Sequence, residues 1–245
     1  MSYQLGSIRK IVSGENSLKE LPEIVKSLNA KTVEIITDEG VYALGLTKGA
    51  EKLLEDAKIK VHVIHDVPPE PSYEQVQHIY EQAKERECDA IVAIGGGSSM
   101  DTAKLVSLML TNSVSLKEMI KGVKPTVRGV PTVMIPTTSG TGSEATPNAI
   151  VLVPEEQLKV GIVSDLMICD VALLDPILTV GLPPHITANT GIDALCHLME
   201  CYISKKNNPL SESFSLHGIK LAAKSLRKCY QDPQDLKARE LMQVA

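Results

Sequence analysis

Apolar and polar positions follow two periods that take turns along the first two thirds of the chain. The β-branched runs at 31–36 (KTVEII), 58–64 (KIKVHVI) and 89–94 (DAIVAI) read as strands. Between them, 17–28, 47–57 and 73–87 carry apolar residues three and four apart, the spacing of helices with one buried face. The 89–94 run is nearly all apolar, as expected of a central strand covered on both faces. Segments 131–135 and 171–174 add further strands. Strands and helices in alternation predict an α/β fold on a Rossmann-like, mostly parallel sheet. Pro68-Pro69-Glu70-Pro71 reads as a stiff connector, because three prolines fix φ and remove donors.

The texture changes at Gly181-Leu182-Pro183-Pro184, and beyond it only helical spacing appears: roughly 190–204, 208–229 and a helix from near Pro233. An α/β domain at 1–181 and an all-helical domain at 182–245 are therefore expected. The last helical pattern reaches Ala245 without a Gly, Asn or Pro stop signal. About sixty residues are few for a helical domain. A truncated one is the expectation.

Composition removes several function classes. A net charge of −5 leaves no basic excess to neutralise phosphates, which argues against a nucleic-acid partner. The start has no apolar signal core, and no run approaches a membrane span. The five cysteines (88, 169, 196, 201 and 229) form no CxxC and read as reduced thiols, so a cytoplasmic protein is expected.

Three loops carry candidate chemistry. Gly95-Gly96-Gly97-Ser98 follows the buried strand and opens a helix, where free N–H groups and the helix dipole favour a phosphate. Met100 occupies the third-glycine place of G-x-G-x-x-G, and the Gly-Lys-Ser/Thr of a Walker loop is absent, so neither standard motif is met; a plain tight turn is the alternative. Residues 135–146 (IPTTSGTGSEAT) form a second loop of hydroxyls and glycines after a strand, where α/β sheets bind ligands. Asp38 also follows a strand. There it either reads a ribose or makes a turn. In 189–201 (NTGIDALCHLMEC), Asp193 and His197 lie four apart on one helical face. They suit a metal ion, yet Thr190-x-x-Asp193 equally suits a capping box at a helix start.

GGGSSMDTAK at 95–104, IPTTSGTGSEAT at 135–146, LLDPILTVGLP at 173–183 and TGIDALCHLME at 190–200, in this order and spacing, resemble the iron-containing (group III) alcohol dehydrogenase family across essentially the whole chain. The resemblance implies an α/β dinucleotide domain, a helical domain and a cleft between them. By motif, Asp38 would read the adenosine ribose, and Gly95, Gly96, Gly97 and Ser98 would cradle the pyrophosphate. Thr137, Thr138, Thr146, Asn148, Lys159, Leu178 and Gly181 would line the groove, and Asp193 and His197 would ligate metal. The implied activity is reversible hydride transfer between a small alcohol or aldehyde and NAD, with NADP disfavoured by Asp38. The implied metal is divalent, Fe²⁺ first and Zn²⁺ second, acting as a Lewis acid. A homo-oligomer is expected.

Two departures stand out. The family often has Pro-Asn-Pro where this chain has Pro69-Glu70-Pro71. It also completes its metal site with two histidines from later helices, whereas the other histidines here (62, 65, 78, 185 and 217) lie outside matching positions. His217, in the next helix, is the one with a plausible approach. Two alternatives therefore stay open: a non-catalytic NAD-binding fragment, and a zinc-dependent polyol or glycerol dehydrogenase.

Overall fold

Six strands share one parallel sheet in the computed structural model, which describes residue 3 and residues 6–245. They are β1 (Lys10–Ser13), β2 (Thr32–Asp38), β3 (Lys60–Val67), β4 (Ala90–Gly95), β5 (Thr132–Pro136) and, after a hairpin, β8 (Val171–Leu174), in the spatial order β1-β8-β5-β4-β2-β3. The inner strands obey the period of two on both faces. Ala90, Val92 and Ile94 of β4 join Val33 and Ile35 of β2 in one core, while Ile91 and Ala93 join Ile36 in the other. Helices α1 (Leu21–Ser27) and α3 (Lys48–Asp56) cover the first face, and α4 (Tyr73–Glu85), α5 (Gly97–Thr111) and α6 (Leu116–Ile120) cover the second. Each aliphatic side chain so enclosed stabilises the fold by about 1.5–3 kcal/mol.

The order contains a switch. From β2 the chain passes outward to β3 at one edge, then returns to place β4 on the other side of β2 and continues to β5. Connections from β2 and β4 thus leave on opposite faces, which opens a crevice beyond their carboxyl ends. The short helix α2 (Glu39–Ala43) follows β2 directly, while α5 follows β4 through the glycine turn.

Three features depart from the sequence expectations. β1 is an edge strand of four residues that the pattern does not announce. Residues 148–163 form an antiparallel hairpin, β6 (Asn148–Val153) with β7 (Leu158–Val163), packed over α5 rather than joined to the sheet. The expected helix at 190–204 begins six residues earlier: α7 runs Pro184–Ile203, with Pro184 in its first turn, where the missing N–H is no loss. The capping-box reading of Thr190 is therefore wrong. Thr190 lies inside α7, and its Oγ1 donates to the Ile186 carbonyl at 2.9 Å.

α7, α8 (Pro209–Gln231) and α9 (Leu236–Val244) pack around a small core of Ala194, Ala222, Cys229, Ala238 and Met242. Buried Arg239 of α9 donates to Thr187 Oγ1 of α7 at 3.0 Å. Gln243 Nε2 reaches the Pro136 and Asp175 carbonyls, both at 3.4 Å, and so ties these helices to the sheet. All five cysteines are free. No helix among the described residues is long and apolar enough to cross a membrane.

One buried charge pair lies away from the crevice. Glu34 in the middle of β2 is fully enclosed, and Arg86 at the end of α4 donates to its Oε1 at 2.7 Å. Burial pushes the Glu34 carboxyl up to about 7, against the pull of Arg86. A folded value above the ordinary 4.5 means that stability is lost as pH rises towards 7. Glu34→Gln should therefore gain stability relative to the parent between pH 5 and pH 8, read from thermal melts at both. Arg86→Ala is expected to destabilise by about 2–3 kcal/mol at pH 8 and by less at pH 5, because it strands a buried carboxylate only when that group is ionised.

Candidate functional site

The carboxyl ends of β2 and β4 are fastened side by side, with buried Thr37 Oγ1 donating to the Ile94 carbonyl at 2.6 Å. The next residue on each strand then carries chemistry. Asp38 Oδ1 accepts from Val41 N–H at 2.9 Å and caps α2; its Oδ2 accepts from Ser99 Oγ at 3.3 Å, in the first turn of α5. Asp38 thus makes the turn and also faces the glycine loop. Gly95 has φ +156, and a Cβ there would lie 2.5 Å from Ser99 Oγ and 3.2 Å from Asp38 Oδ2, so no side chain fits. Gly96 forms the N-cap of α5 without a side-chain cap, which leaves the helix N-terminus open to an anion.

A cleft of about 740 Å³ opens beside this turn. Gly97, Ser98 and Asp101 line it from α5, Thr146, Asn148 and Lys159 from the hairpin and its approach, and Asp193 and His197 from α7. Seven of the sequence-selected residues meet there: Gly97, Ser98, Thr146, Asn148, Lys159, Asp193 and His197. The others do not line it. Asp38 and Gly95 meet at Ser99 instead, and Gly96 approaches Thr138, whose Oγ1 would be 3.6 Å from a Cβ at 96. Thr137 is buried and bonds by its backbone N–H to the Gly95 carbonyl at 3.0 Å. Leu178 is buried in the first core, and nothing lies within 4 Å of a Cβ placed at Gly181.

Beneath the cleft sits a residue the sequence reading passed over. Lys104 is fully buried on α5, where its Nζ donates to Asp101 Oδ1 at 3.2 Å, Ser143 Oγ at 2.8 Å, Thr146 Oγ1 at 3.3 Å and the Asn148 carbonyl at 2.6 Å. Asp101 Oδ2 in turn accepts from Ile150 N–H at 2.9 Å. The network fixes Thr146 and Asn148 against the helix that carries the glycine turn. Burial pulls the ammonium below its ordinary value, while Asp101 supports the charged form. The only signal was the Asp101–Lys104 spacing of one turn inside GGGSSMDTAK, which a solvated helix face would show equally well.

Asp193 and His197 are one turn apart on α7, with Oδ1 and Nε2 separated by 3.6 Å and both side chains about half exposed. That separation lies within reach of one ion bound at about 2.1 Å to each atom, and a carboxylate with an imidazole suits Fe²⁺ or Zn²⁺. The pair fits as two donors of a larger set. Among the described residues no group of three or more His, Cys, Asp or Glu side chains is arranged to hold a metal. His217 is exposed on α8 and lines neither this cleft nor the second cavity of about 420 Å³, onto which His197 also opens. The second loop presses on α7 through Gly140, where a Cβ would come within 2.8 Å of the Thr190 side chain and 2.9 Å of its carbonyl oxygen.

Comparison with known proteins shows the family and the fold. Residues 9–176 match the family model described as iron-containing alcohol dehydrogenase, and residues 187–245 match that of the C-terminal part of the Fe-containing alcohol dehydrogenase family. A sulfoacetaldehyde reductase from Bilophila wadsworthia is 34% identical over all of this chain and 63% of its own length. The crystal structure of a 1,3-propanediol oxidoreductase superposes with a TM-score of 0.95 at 31% identity, covering 100% of this chain and 64% of that one. Sulfoacetaldehyde reductase from Bifidobacterium kashiwanohense, solved with NAD⁺, gives 0.92 at 30% identity, covering 99% and 64%. The chain thus spans a little under two thirds of the length of these relatives. The two family matches, which together take in the glycine turn, the threonine loop and α7, place this chain in the iron-containing alcohol dehydrogenase family.

Proposed function

We propose that this chain supplies the dinucleotide site and two metal donors of an NAD(P)- and metal-dependent alcohol dehydrogenase or aldehyde reductase. The observation that carries the reading is convergence: the glycine turn of α5 and the Asp193–His197 pair open into the same cleft. Residues 1–181 would serve as the dinucleotide domain and 182–245 as part of the helical metal domain.

The open N-terminus of α5 would hold the pyrophosphate, since unpaired N–H groups and the helix dipole attract anions. Gly95, Gly96, Gly97 and Ser98 would form its bed, and Asp38 the ribose contact. An ionised Asp38 repels a 2′-phosphate, which favours NAD over NADP. Thr137, Thr138, Thr146, Asn148, Lys159, Leu178 and Gly181 complete the groove in this reading. Asp193 and His197 would hold the divalent ion, Fe²⁺ foremost and Zn²⁺ as the alternative; when bound it supplies Lewis acidity to a substrate oxygen. The contribution of this chain's own residues is placement, because cleft walls shared by both half-sites limit where a small alcohol or aldehyde can sit. The names of the relatives support that substrate class. The five free thiols support a reducing, cytoplasmic setting, and exposed edge strand β1, with Ile11 59% accessible, supports self-association.

One observation favours a second reading. With two donors and no third among the described residues, the chain by itself would hold metal weakly and act as a folded dinucleotide-binding unit. NADH binding by calorimetry, with metal content by elemental analysis, separates the two: both ligands retained supports the enzyme, and NADH alone supports the binding unit.

Asp193→Ala should abolish bound Fe²⁺ or Zn²⁺ while changing the Kd for NADH by less than about twofold, since the two half-sites are carried by different helices. Parallel loss of both ligands would contradict separate half-sites. Asp38→Gly is expected to shift the NADPH-to-NADH affinity ratio upward by about tenfold, because it removes a like charge facing the 2′-phosphate. An unmoved ratio, measured by fluorescence titration, would remove Asp38 from the ribose contact.

A further inference from the structure

We propose that Glu70 clasps Lys159 across the mouth of the cleft and thereby loosens the protein's grip on a dinucleotide's phosphates. The proposal rests on the dinucleotide reading of that cleft.

Three observations converge on it. Glu70 adopts the left-handed conformation, φ +54, between Pro69 and Pro71. That region disfavours a long side chain, and a following proline pushes its predecessor towards extended backbone. Glycine or asparagine would adopt the position more readily. A glutamate therefore sits where local preference is against it, which points to a compensating role for its carboxylate.

The carboxylate has one clear partner. Lys159 Nζ of β7 donates to Glu70 Oε1 at 2.6 Å, while the Glu70 N–H donates to Ser98 Oγ, on the glycine turn, at 3.4 Å. The connector after β3 is thus joined to both the hairpin and the anion site. Both charged side chains are more than half exposed, and exposed ion pairs contribute little to folding. Stability does not account for the clasp.

Charge in the cleft does. Among the described residues Lys159 is the only lysine or arginine lining it; the Asp101 carboxylate is already paired with buried Lys104 beneath, while Glu70 and Asp193 supply further carboxylates. An arriving pyrophosphate meets a single cation already neutralised by Glu70, and must compete for it while facing the carboxylate's repulsion. The consequence is weaker binding and faster release. Where product release limits turnover, faster release serves the enzyme.

The test measures the Kd for NADH by fluorescence at low and high salt, using the whole protein and its Glu70→Gln, Glu70→Asn, Lys159→Gln and Glu70→Gln/Lys159→Gln variants. Glu70→Gln is expected to tighten NADH about three- to fivefold at low salt, with the gain shrinking at high salt as a freed cation engages phosphate. Glu70→Asn, which also relieves the left-handed strain, should tighten it as well. Lys159→Gln should weaken NADH binding relative to the parent, because it leaves the Glu70 carboxylate unpaired beside the phosphates, and the gain from Glu70→Gln should vanish in the double variant. If the parent binds NADH and Glu70→Gln binds it equally or more weakly, the clasp is overturned. A gain that persists in the double variant also overturns it, because Lys159 would not be the group released. A parent that binds no NADH at all defeats the dinucleotide reading itself, and the clasp with it.

Discussion

Two parallel strands lie side by side while the chain leaves them towards opposite faces of the sheet, and the candidate site follows from that constraint. β2 and β4 are hydrogen-bonded along their length and share both cores, so their ends move as one body. The Thr37–Ile94 bond lies in a dry interior, where a hydroxyl left unpaired would cost about 1–3 kcal/mol. What emerges beyond that seam is held to the same precision: an acid from one strand, and from the other a turn so tight that Gly95 has no room for a side chain.

The buried ammonium of Lys104 extends this order to the hairpin. An amine enclosed in protein is normally destabilising, because water solvates the charge far better than apolar surroundings do. Here three side-chain oxygens and a main-chain carbonyl replace that solvation. The hairpin, which shares no hydrogen bonds with the main sheet, is thereby registered to α5. Hydroxyls and amides of the second wall consequently stand at fixed distances from the helix N-terminus.

Much of this was legible in the residues because the governing patterns are local. The nearly unbroken apolar run in DAIVAI and the three glycines that follow announce a buried strand and a tight turn with no reference to the rest of the chain. The hairpin escaped notice because its two strands, NAIVLV and LKVGIV, follow a loop rich in threonine and glycine whose texture suggested continued coil. The start of α7 was misplaced because Pro183-Pro184 reads as a break, although proline is well tolerated in a helix's first turn. Lys104 was missed for a different reason: no sequence pattern distinguishes a lysine folded inward among oxygens from one facing water. Convergence of the glycine turn with Asp193 and His197 is a tertiary fact, since some 95 residues separate them in the chain.

Gly140 and Thr190 meet with only hydrogen on the glycine's side of the contact. The threonine loop follows β5 of the sheet, while Thr190 lies three residues ahead of Asp193 on the helix that carries both Asp193 and His197. The spacing between the two halves of the site is therefore set by main chain against helix, with no adjustable rotamer between them. Adding one methyl group at that contact would act as a shim, lifting α7 away from the threonine loop and widening the gap between Asp193 and the wall opposite. Reach between the half-sites in this fold is thus open to alteration by the smallest change that chain chemistry offers.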